Sequence, residues 1–193
     1  MAREELGIVS VKKCISILVI ALAATASLSA QYFEHPRSLY LEAGVGFFPY
    51  LTYGSAVDAS LKSAGTSRFQ LAVDAHAGWP LTRRLLVVGG YDGVLDEIFE
   101  NGTYTNQISS SLFSLGFRIY PLGAGLVMGA DAGLSELDGF VALGYGFAGT
   151  VAWDFSPLGL NVEVGARTLY LSFNYANPQS MFVVMPFICL VFG

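Results

Sequence analysis

Asp74 and His76 are the residues whose types and spacing could do chemistry. They stand two apart in a segment that alternates between apolar and polar residues, so in a strand both side chains lie on one face. A histidine beside a carboxylate can act as a general acid–base pair when the groups lie within hydrogen-bond reach. No serine nucleophile is marked nearby, so a lipid-modifying enzyme is the least supported function. His35 is the only other histidine and lies in an unrelated segment. The sequence therefore predicts no catalytic residue, no metal site and no cofactor.

Asp74 and His76 belong to a wider set of ionisable residues on one face of several alternating segments, where the remaining positions are mostly Gly, Ala and Ser. Six carboxylates stand against two arginines and cannot all ionise freely in a narrow, partly dry space. Arg118 and Arg167 are the predicted hubs, because a guanidinium can hold carboxylates by bidentate hydrogen bonds. This network either fills the lumen of a barrel or forms a proton- or solute-responsive gate. Its predicted members are Glu42, Asp74, His76, Asp92, Arg118, Asp131, Asp154, Glu163 and Arg167.

The elements that must position these residues are strands, as the stretch from Leu112 to Leu134 shows. Two alternating runs are joined there by Pro-Leu-Gly, so the pattern predicts a hairpin with one apolar face and one small or polar face. A turn centred between Leu122 and Gly123 would place Ser114 opposite Asp131 and Gly116 opposite Gly129. The same alternation recurs along the chain at about 38–48, 69–79, 85–92, 141–154, 160–167 and 181–193.

The pattern thus predicts eight strands of roughly 9 to 13 residues, the length with which tilted strands cross a bilayer. Three tight turns contain Pro-Leu, and proline belongs in a turn because it cannot donate to a strand ladder. Aromatic residues near these turns are expected at the membrane interface. The predicted interfacial aromatics are Trp79, Tyr120, Trp153 and Phe155. Long polar connections, which include the predicted loops 49–66, 94–106 and 174–180, lie at the other end.

Composition favours a strand-built membrane protein. Hydrophobic residues make up 53% of the chain and charged residues 13%, whereas a soluble domain usually has about 25% charged residues. Beyond the N-terminal leader no uninterrupted apolar run of roughly 18 residues occurs, which argues against helical spans. A soluble lipocalin-like barrel is less consistent with the sequence, because the polar face has too few polar side chains to cover a surface in water. The net charge is −5 and Arg83-Arg84 is the only basic cluster outside the leader, so nucleic-acid binding is not expected.

Residues 1–30 have the pattern of a cleaved signal peptide, with Lys12 and Lys13 before an apolar core and then small residues. A retained anchor helix is the alternative, but the apolar core is short for a span. The predicted domains are therefore a signal peptide at 1–30 and an outer-membrane β-barrel at 31–193. Cys189 is the only cysteine of the second domain, so no internal disulfide is expected.

A signal peptide, eight alternating strands, tight turns at one end and an aromatic terminal strand together resemble the small outer-membrane barrels of the OmpA-domain, OmpX and OmpW type. The segments GFRIYPLGAGLVMGADAG and VAWDFSPLGLNVEVGAR are also similar to outer-membrane barrel proteins of spirochaetes. The resemblance implies an all-β, eight-stranded, antiparallel, up-and-down transmembrane β-barrel in the cell outer membrane. It also implies outer-membrane lipid and the barrel-assembly machinery as partners.

Two non-enzymatic functions follow as hypotheses. The first is a monomeric structural barrel and membrane anchor whose loops 49–66, 94–106 and 174–180 contact a host or extracellular ligand. The second, suggested by the OmpW-like resemblance, is a narrow conduit for small, including hydrophobic, solutes. Eight strands leave an interior just wide enough for side chains, so an open aqueous pore is not expected.

Overall fold

The computed structural model describes residues 39–47, 50–122, 125–139, 141–174 and 179–192. The predicted signal peptide at 1–30 lies outside the described residues. None of the helices in these ranges is long and apolar enough to cross a membrane. The elements, in chain order, are β1 (Tyr40–Phe47), β2 (Tyr50–Thr52), α1 (Ser55–Ser63), β3 (Ser67–Thr82), β4 (Leu85–Glu100), β5 (Thr103–Ile119), β6 (Leu126–Leu137), β7 (Ala142–Asp154), a 3-10 turn (Ser156–Leu158), β8 (Val162–Phe173) and β9 (Ser180–Phe192).

The strands form one antiparallel sheet that closes on itself. Each strand from β3 to β9 pairs with its neighbour in sequence, and β1 pairs with both β3 and β9. Because β1 and β2 both pair with β9, they act as two pieces of one interrupted strand. The predicted eight-stranded, up-and-down barrel is confirmed. Pro186 falls where β9 passes between the β1 and β2 ladders, so its missing N–H interrupts the sheet least there.

Alternation along each strand separates an outer apolar surface from a filled interior. Leu115 and Leu134 point outward and are 72% and 67% exposed, whereas Leu112 and Met185 point inward and are 0% exposed. Successive side chains of a strand point to opposite faces. These exposed and buried residues therefore show which positions of each paired strand face outward and which face the interior. The predicted assignment of the aliphatic face to the outside is confirmed.

The predicted loop 94–106 is wrong. β4 continues to Glu100 and β5 begins at Thr103, so this region is a hairpin that extends past the barrel wall. Its turn is the pair Asn101 and Gly102, both with positive φ (51° and 78°), a conformation that suits a two-residue hairpin turn. The polar side chains here lie on paired strands, because Val94 and Ile98 continue the inward alternation, and the register shifts only between Ile98 and Phe99.

The other two predicted loops are also more ordered or shorter than expected. The segment 49–66 contains β2 and α1, and the carboxylate of Asp58 accepts a hydrogen bond from the backbone N–H of Tyr53 at 3.1 Å. In the segment 174–180, β9 already begins at Ser180, and residues 175–178 lie outside the described residues.

Two details of the predicted turns also differ. Pro80 lies within β3, beside an irregularity at which Pro80 pairs with Leu86 and Thr82 with Leu85. In the hairpin of β5 and β6, Ser114 pairs with Gly133 and Gly116 with Asp131, which shifts the predicted register by two residues. The connection between these strands is longer than the predicted turn, since β5 ends at Ile119 and β6 begins at Leu126. A shift of two leaves every side chain on its predicted face.

Candidate functional site: a charged layer inside the barrel

All nine residues of the predicted lumen network point inward and are buried, each with at most 5% exposure. Neighbouring strands bring several of them level with one another, since Glu42 pairs with His76 and Asp74 with Asp92. Arg118 and Arg167 arrive from β5 and β8 and are both 0% exposed. The inward face of the alternating strands therefore builds a layer of charges across the middle of the barrel.

Asp131 joins the two arginines. Its carboxylate oxygens accept hydrogen bonds from Arg118 Nη1 at 2.8 and 2.9 Å, and Oδ2 also accepts one from Arg167 Nη2 at 3.0 Å. Arg167 Nε lies 2.9 Å from Asp92 Oδ1, so this guanidinium links two carboxylates from different strands. The contacts of Asp131 are charge-assisted hydrogen bonds, the strong class in proteins, whereas the contact between Arg167 and Asp92 is an ion pair without hydrogen-bond geometry. Both predicted arginine hubs therefore contact carboxylates.

His76 is oriented by Arg167. The distance from Arg167 Nη2 to His76 Nε2 is 2.8 Å, and an arginine can only donate, so Nε2 must be the unprotonated acceptor. A neutral His76 then carries its proton on Nδ1, which lies 3.8 Å from both Glu42 Oε1 and Asp74 Oδ2. His76 and its side-chain partners are enclosed, with 3% of the histidine exposed, so this pair does not face a substrate-accessible cleft.

The same three residues have the spacing of a metal site, because Glu42, Asp74 and His76 each offer one ligand atom within 4.8 Å of the others. A metal at Nδ1 would require that nitrogen to be unprotonated, and the proton would then sit on Nε2, facing the Arg167 donor. Two donors 2.8 Å apart repel each other, so the position of Arg167 opposes metal binding in this arrangement. The cluster is better described as a group of buried charged and polar side chains held by Arg167, in which neither Asp74 oxygen has a hydrogen-bond partner among the described residues.

Asp154 and Glu163 stand apart from the arginine hubs, near the tight-turn end, where they pair with each other across β7 and β8. Asp154 Oδ1 accepts a hydrogen bond from the backbone N–H of Ser156 at 2.8 Å and so fixes the 3-10 turn. Both side-chain oxygens of Glu163 lack a hydrogen-bond partner among the residues that the structure describes. Tyr40, which the sequence did not indicate, donates to Glu42 Oε2 at 2.9 Å.

Two apolar clusters lie on either side of the arginine hubs. Toward the hairpin end, the interior is filled by a cluster that includes Leu112, Leu169 and Met185, each 0% exposed. Toward the tight turns, a second cluster includes Leu86, Val127 and Tyr120, at most 1% exposed. Glu163 lies beside this second cluster, because it pairs with Cys189, one of its members. The lumen is therefore filled by side chains on both sides of the arginine hubs.

Tyr120 corrects one prediction. It is 0% exposed and packs inside the second apolar cluster, so it does not belong to an aromatic belt on the outer surface. It follows Ile119 by one position, and the alternation of β5 places it inward together with Arg118. Trp79 is 58% exposed, and Trp153 and Phe155 are partly exposed, so these three lie at the surface near the tight turns.

A second ionic cluster, formed by Tyr53, Arg68 and Asp96, lies at the hairpin end and was missed by the sequence analysis. Tyr53 donates to Asp96 Oδ2 at 2.6 Å, and Arg68 forms an ion pair with Asp96 and lies 5.1 Å from the centre of the Tyr53 ring. Glu97, the residue after Asp96, points outward. The cluster therefore lies at a height of the barrel where the outer surface is no longer apolar. Extending the alternation of Val94 through the supposed loop would have placed Asp96 inside.

Burial and the neighbouring carboxylate determine the ionisation of this cluster. Burial of the ring and then the negative charge of Asp96 raise the pKa of Tyr53 above its usual value. Burial by itself would lower the pKa of Arg68, but the hydrogen bond and charge of Asp96 outweigh it, so this pKa is raised. The cluster therefore fastens the segment before α1 to the barrel wall with a protonated tyrosine and a charged arginine.

No protein-family model and no curated protein sequence matches this chain. Among solved structures, the chain is similar to crystalline Ail, the attachment invasion locus protein of Yersinia pestis, with a TM-score of 0.52, 8% identity and coverage of 80% of this chain and 97% of Ail. The structure of Ail in a phospholipid nanodisc matches with a TM-score of 0.52 and 9% identity, over 80% of this chain and all (100%) of that one. The Neisserial surface protein NspA matches with a TM-score of 0.45 and 13% identity, over 79% and 96% of the two chains. This chain therefore has the fold of the small eight-stranded outer-membrane β-barrels.

Proposed function

We propose that the chain is an outer-membrane anchor: a closed, monomeric barrel that holds the β4–β5 hairpin at the cell surface. One observation carries this proposal, namely that apolar clusters lie on both sides of the arginine hubs and that Arg118 and Arg167 are each 0% exposed. Ions would have to pass both apolar clusters to cross the lumen. The interior of an eight-stranded barrel is just wide enough for its side chains, which agrees with a filled lumen.

Location in the outer membrane is part of the proposal. The outer surface carries an apolar band of exposed side chains such as Val87, Phe117 and Val151, which suits lipid and would be costly in water. The N-terminal segment 1–30 has the composition of an export signal. Insertion would then depend on outer-membrane lipid and on the barrel-assembly machinery, as for other barrels of this fold.

The β4–β5 hairpin is the surface that we propose for ligand contact. Phe99 and Tyr104 pack edge to face near its tip with ring centres 6.0 Å apart, and the Tyr104 side chain is 53% exposed. Glu100 adds a negative charge beside them. Exposed aromatic residues are enriched in protein contact surfaces. Ail is named for attachment, and display of a hairpin for attachment is a similar role by analogy of fold alone.

Conductance tests the closed lumen. The folded protein in a planar lipid bilayer should show no stable current steps, while a porin reconstituted in parallel should conduct. Reproducible steps from the unaltered chain, changed in size by Arg118→Ala or Arg167→Ala, would instead support the narrow-conduit alternative.

A matched pair of hairpin variants tests the surface role. In the first, residues 97–107 are replaced by Asn-Gly, which keeps the Asp96–Ile108 pair. In the second, Phe99→Ser and Tyr104→Ser retain the strands and remove only the aromatic pair. Both should reduce binding of whole cells to matrix or host surfaces, and unchanged binding by both variants would contradict a contact role for the hairpin.

A further inference from the structure

A groove of about 260 Å³ lies on the outer face of the barrel, where β3, β4, β5 and β6 run side by side. Leu71, Gly93, Ser111 and Glu136 line it. These positions share the outward face, because they alternate with the inward residues of their strands and pair in the order Val73, Gly93, Ser111 and Glu136. The groove is therefore separate from the charged layer inside the lumen.

The floor of the groove contains polar atoms without partners. Ser111 is 1% exposed although it lies on the outer face, and its hydroxyl has no hydrogen-bond partner in the described part of the chain. Glu136 pairs with Ser111 across β5 and β6, and its Oε2 is buried and likewise lacks a partner there. Buried polar groups without partners cost free energy, which a ligand with matching groups would recover.

The wall of the groove on the side of the tight turns is apolar and aromatic. The Tyr91 ring lies over Gly93, since a Cβ atom added to Gly93 would come within 2.7 Å of the Tyr91 hydroxyl. Tyr91 also packs against Phe113 with ring centres 5.2 Å apart. In the opposite direction along β4 and β5, the outward positions become polar at Glu97 and its partner Gln107. The groove thus lies where the apolar band ends and the polar surface begins.

We propose that this groove binds the headgroup of an aminophospholipid from the surrounding membrane. The Glu136 carboxylate accepts hydrogen bonds from the primary ammonium, the hydroxyls of Ser111 and Ser109 donate to the phosphate, and an acyl chain lies along Tyr91 and Val73. The proposal rests on the membrane location proposed above.

Charge complementarity selects this occupant. The carboxylate of Glu136 needs hydrogen-bond donors, and an ammonium supplies both donors and the opposite charge. A phosphatidylglycerol headgroup has no cation to offer to Glu136, and a choline headgroup has a cation but no N–H donor. The position of the groove at the edge of the apolar band is the level at which a lipid headgroup lies.

Native mass spectrometry of the folded protein tests the proposal, after release from vesicles that contain equal amounts of phosphatidylethanolamine, phosphatidylcholine and phosphatidylglycerol. We expect one phosphatidylethanolamine to be retained about tenfold more often than either competitor, the ratio that one good charge-assisted hydrogen bond provides. Glu136→Gln should reduce this preference to about the level of phosphatidylcholine. Gly93→Ala, which pushes Tyr91 into the groove, should reduce retention of all three lipids. Glu97→Gln is the matched control, because this carboxylate faces outward beyond the groove, and it should retain the wild-type preference.

Three results would overturn the proposal: equal retention of the three lipids by the unaltered protein, a preference that survives both Glu136→Gln and Gly93→Ala, or a dimer that these two substitutions dissociate. Flotation of the protein with phosphatidylcholine vesicles separates these outcomes from failure of the membrane location itself. A protein that does not float would refute the proposed location, whereas one that floats without lipid preference would refute only the groove.

Discussion

Asp131 and Asp74 are two buried carboxylates of the same lumen layer, and we expect the same substitution to affect them in opposite ways. Asp131 is 5% exposed and accepts three guanidinium contacts of 2.8 to 3.0 Å. Asp74 is 3% exposed, neither of its oxygens has a hydrogen-bond partner among the described residues, and it pairs with a second carboxylate, Asp92. Replacement of each aspartate by asparagine changes charge and hardly changes volume, so the partners determine the result.

The magnitude follows from those partners. Asp131→Asn places an amide N–H₂ beside guanidinium donors and leaves the positive charges of two buried arginines without one of their negative partners. Breaking a buried ion pair from one side costs about 3–5 kcal/mol. A small domain has a total unfolding free energy of about 5–15 kcal/mol, so this loss is large. Asp74→Asn removes a negative charge that lies beside a second carboxylate, Asp92, and gives up no hydrogen bond. The unfolding free energy should therefore stay within about 1 kcal/mol of wild type or increase.

Urea unfolding in lipid vesicles, followed by the fluorescence of Trp79 and Trp153, measures both changes. Equal destabilisation by the two substitutions, or a loss below about 1 kcal/mol for Asp131→Asn, would show that we have misjudged which carboxylate stabilises the layer. A double replacement, Arg118→Met with Asp131→Leu, provides a second check. It should cost less than the sum of the two single changes, because it removes both partners at once.

Three further predictions concern the rim, the space around Arg118 and the hairpin. The pKa of Tyr53 in the folded protein is raised above its unfolded value of about 10, so the contribution of Tyr53 to stability is complete below that pH and is lost as the pH rises through the folded pKa. Protection of residues 54–66 from an alkaline-stable protease should therefore fall above about pH 10. Tyr53→Phe should lack this pH-dependent step. Gly129→Val should lower the unfolding free energy by about 1–3 kcal/mol, because the valine side chain would overlap Arg118. Gly149→Val, on the outer face, should change the unfolding free energy little. Equal effects of the two substitutions in urea unfolding would contradict this explanation. Replacement of residues 97–107 by Asn-Gly should leave a folded barrel with heat-modifiable gel mobility, because the barrel wall below the Asp96–Ile108 pair is unchanged. Loss of the mobility shift would mean that the hairpin is needed for folding.

The sequence predicted the barrel and the contents of its lumen because period-two alternation carries both. Arg118 and Asp131 could be placed inside from their neighbours alone. The strand ends could not be placed in the same way, because polar residues such as Asp96 and Glu97 are as common in a loop as on a hairpin that extends past the barrel wall. Tyr120 was misplaced for a related reason, since proximity to Pro121 suggested a turn at the interface while the alternation after Arg118 pointed inward. The partners of Arg167 come from β1, β3, β4 and β6, and such long-range contacts have no signature in local spacing.

The two-residue error in the β5–β6 register shows what the ion pairs add to the apolar pattern. A slip of one residue would turn Arg118 toward the outer surface, so alternation excludes it, but a slip of two keeps every face correct. In the slipped register Arg118 would lie opposite Val127, whereas in the structure it lies opposite Gly129, where an added Cβ atom would come within 2.6 Å of its guanidinium. The observed pairing gives the long side chain this space and places Asp131 diagonally within reach at 2.8 Å. The apolar pattern therefore selects the face of each strand, and the charged layer selects among the registers that share that face. This is a structural reason for the barrel to keep Arg118 and Asp131 in its interior.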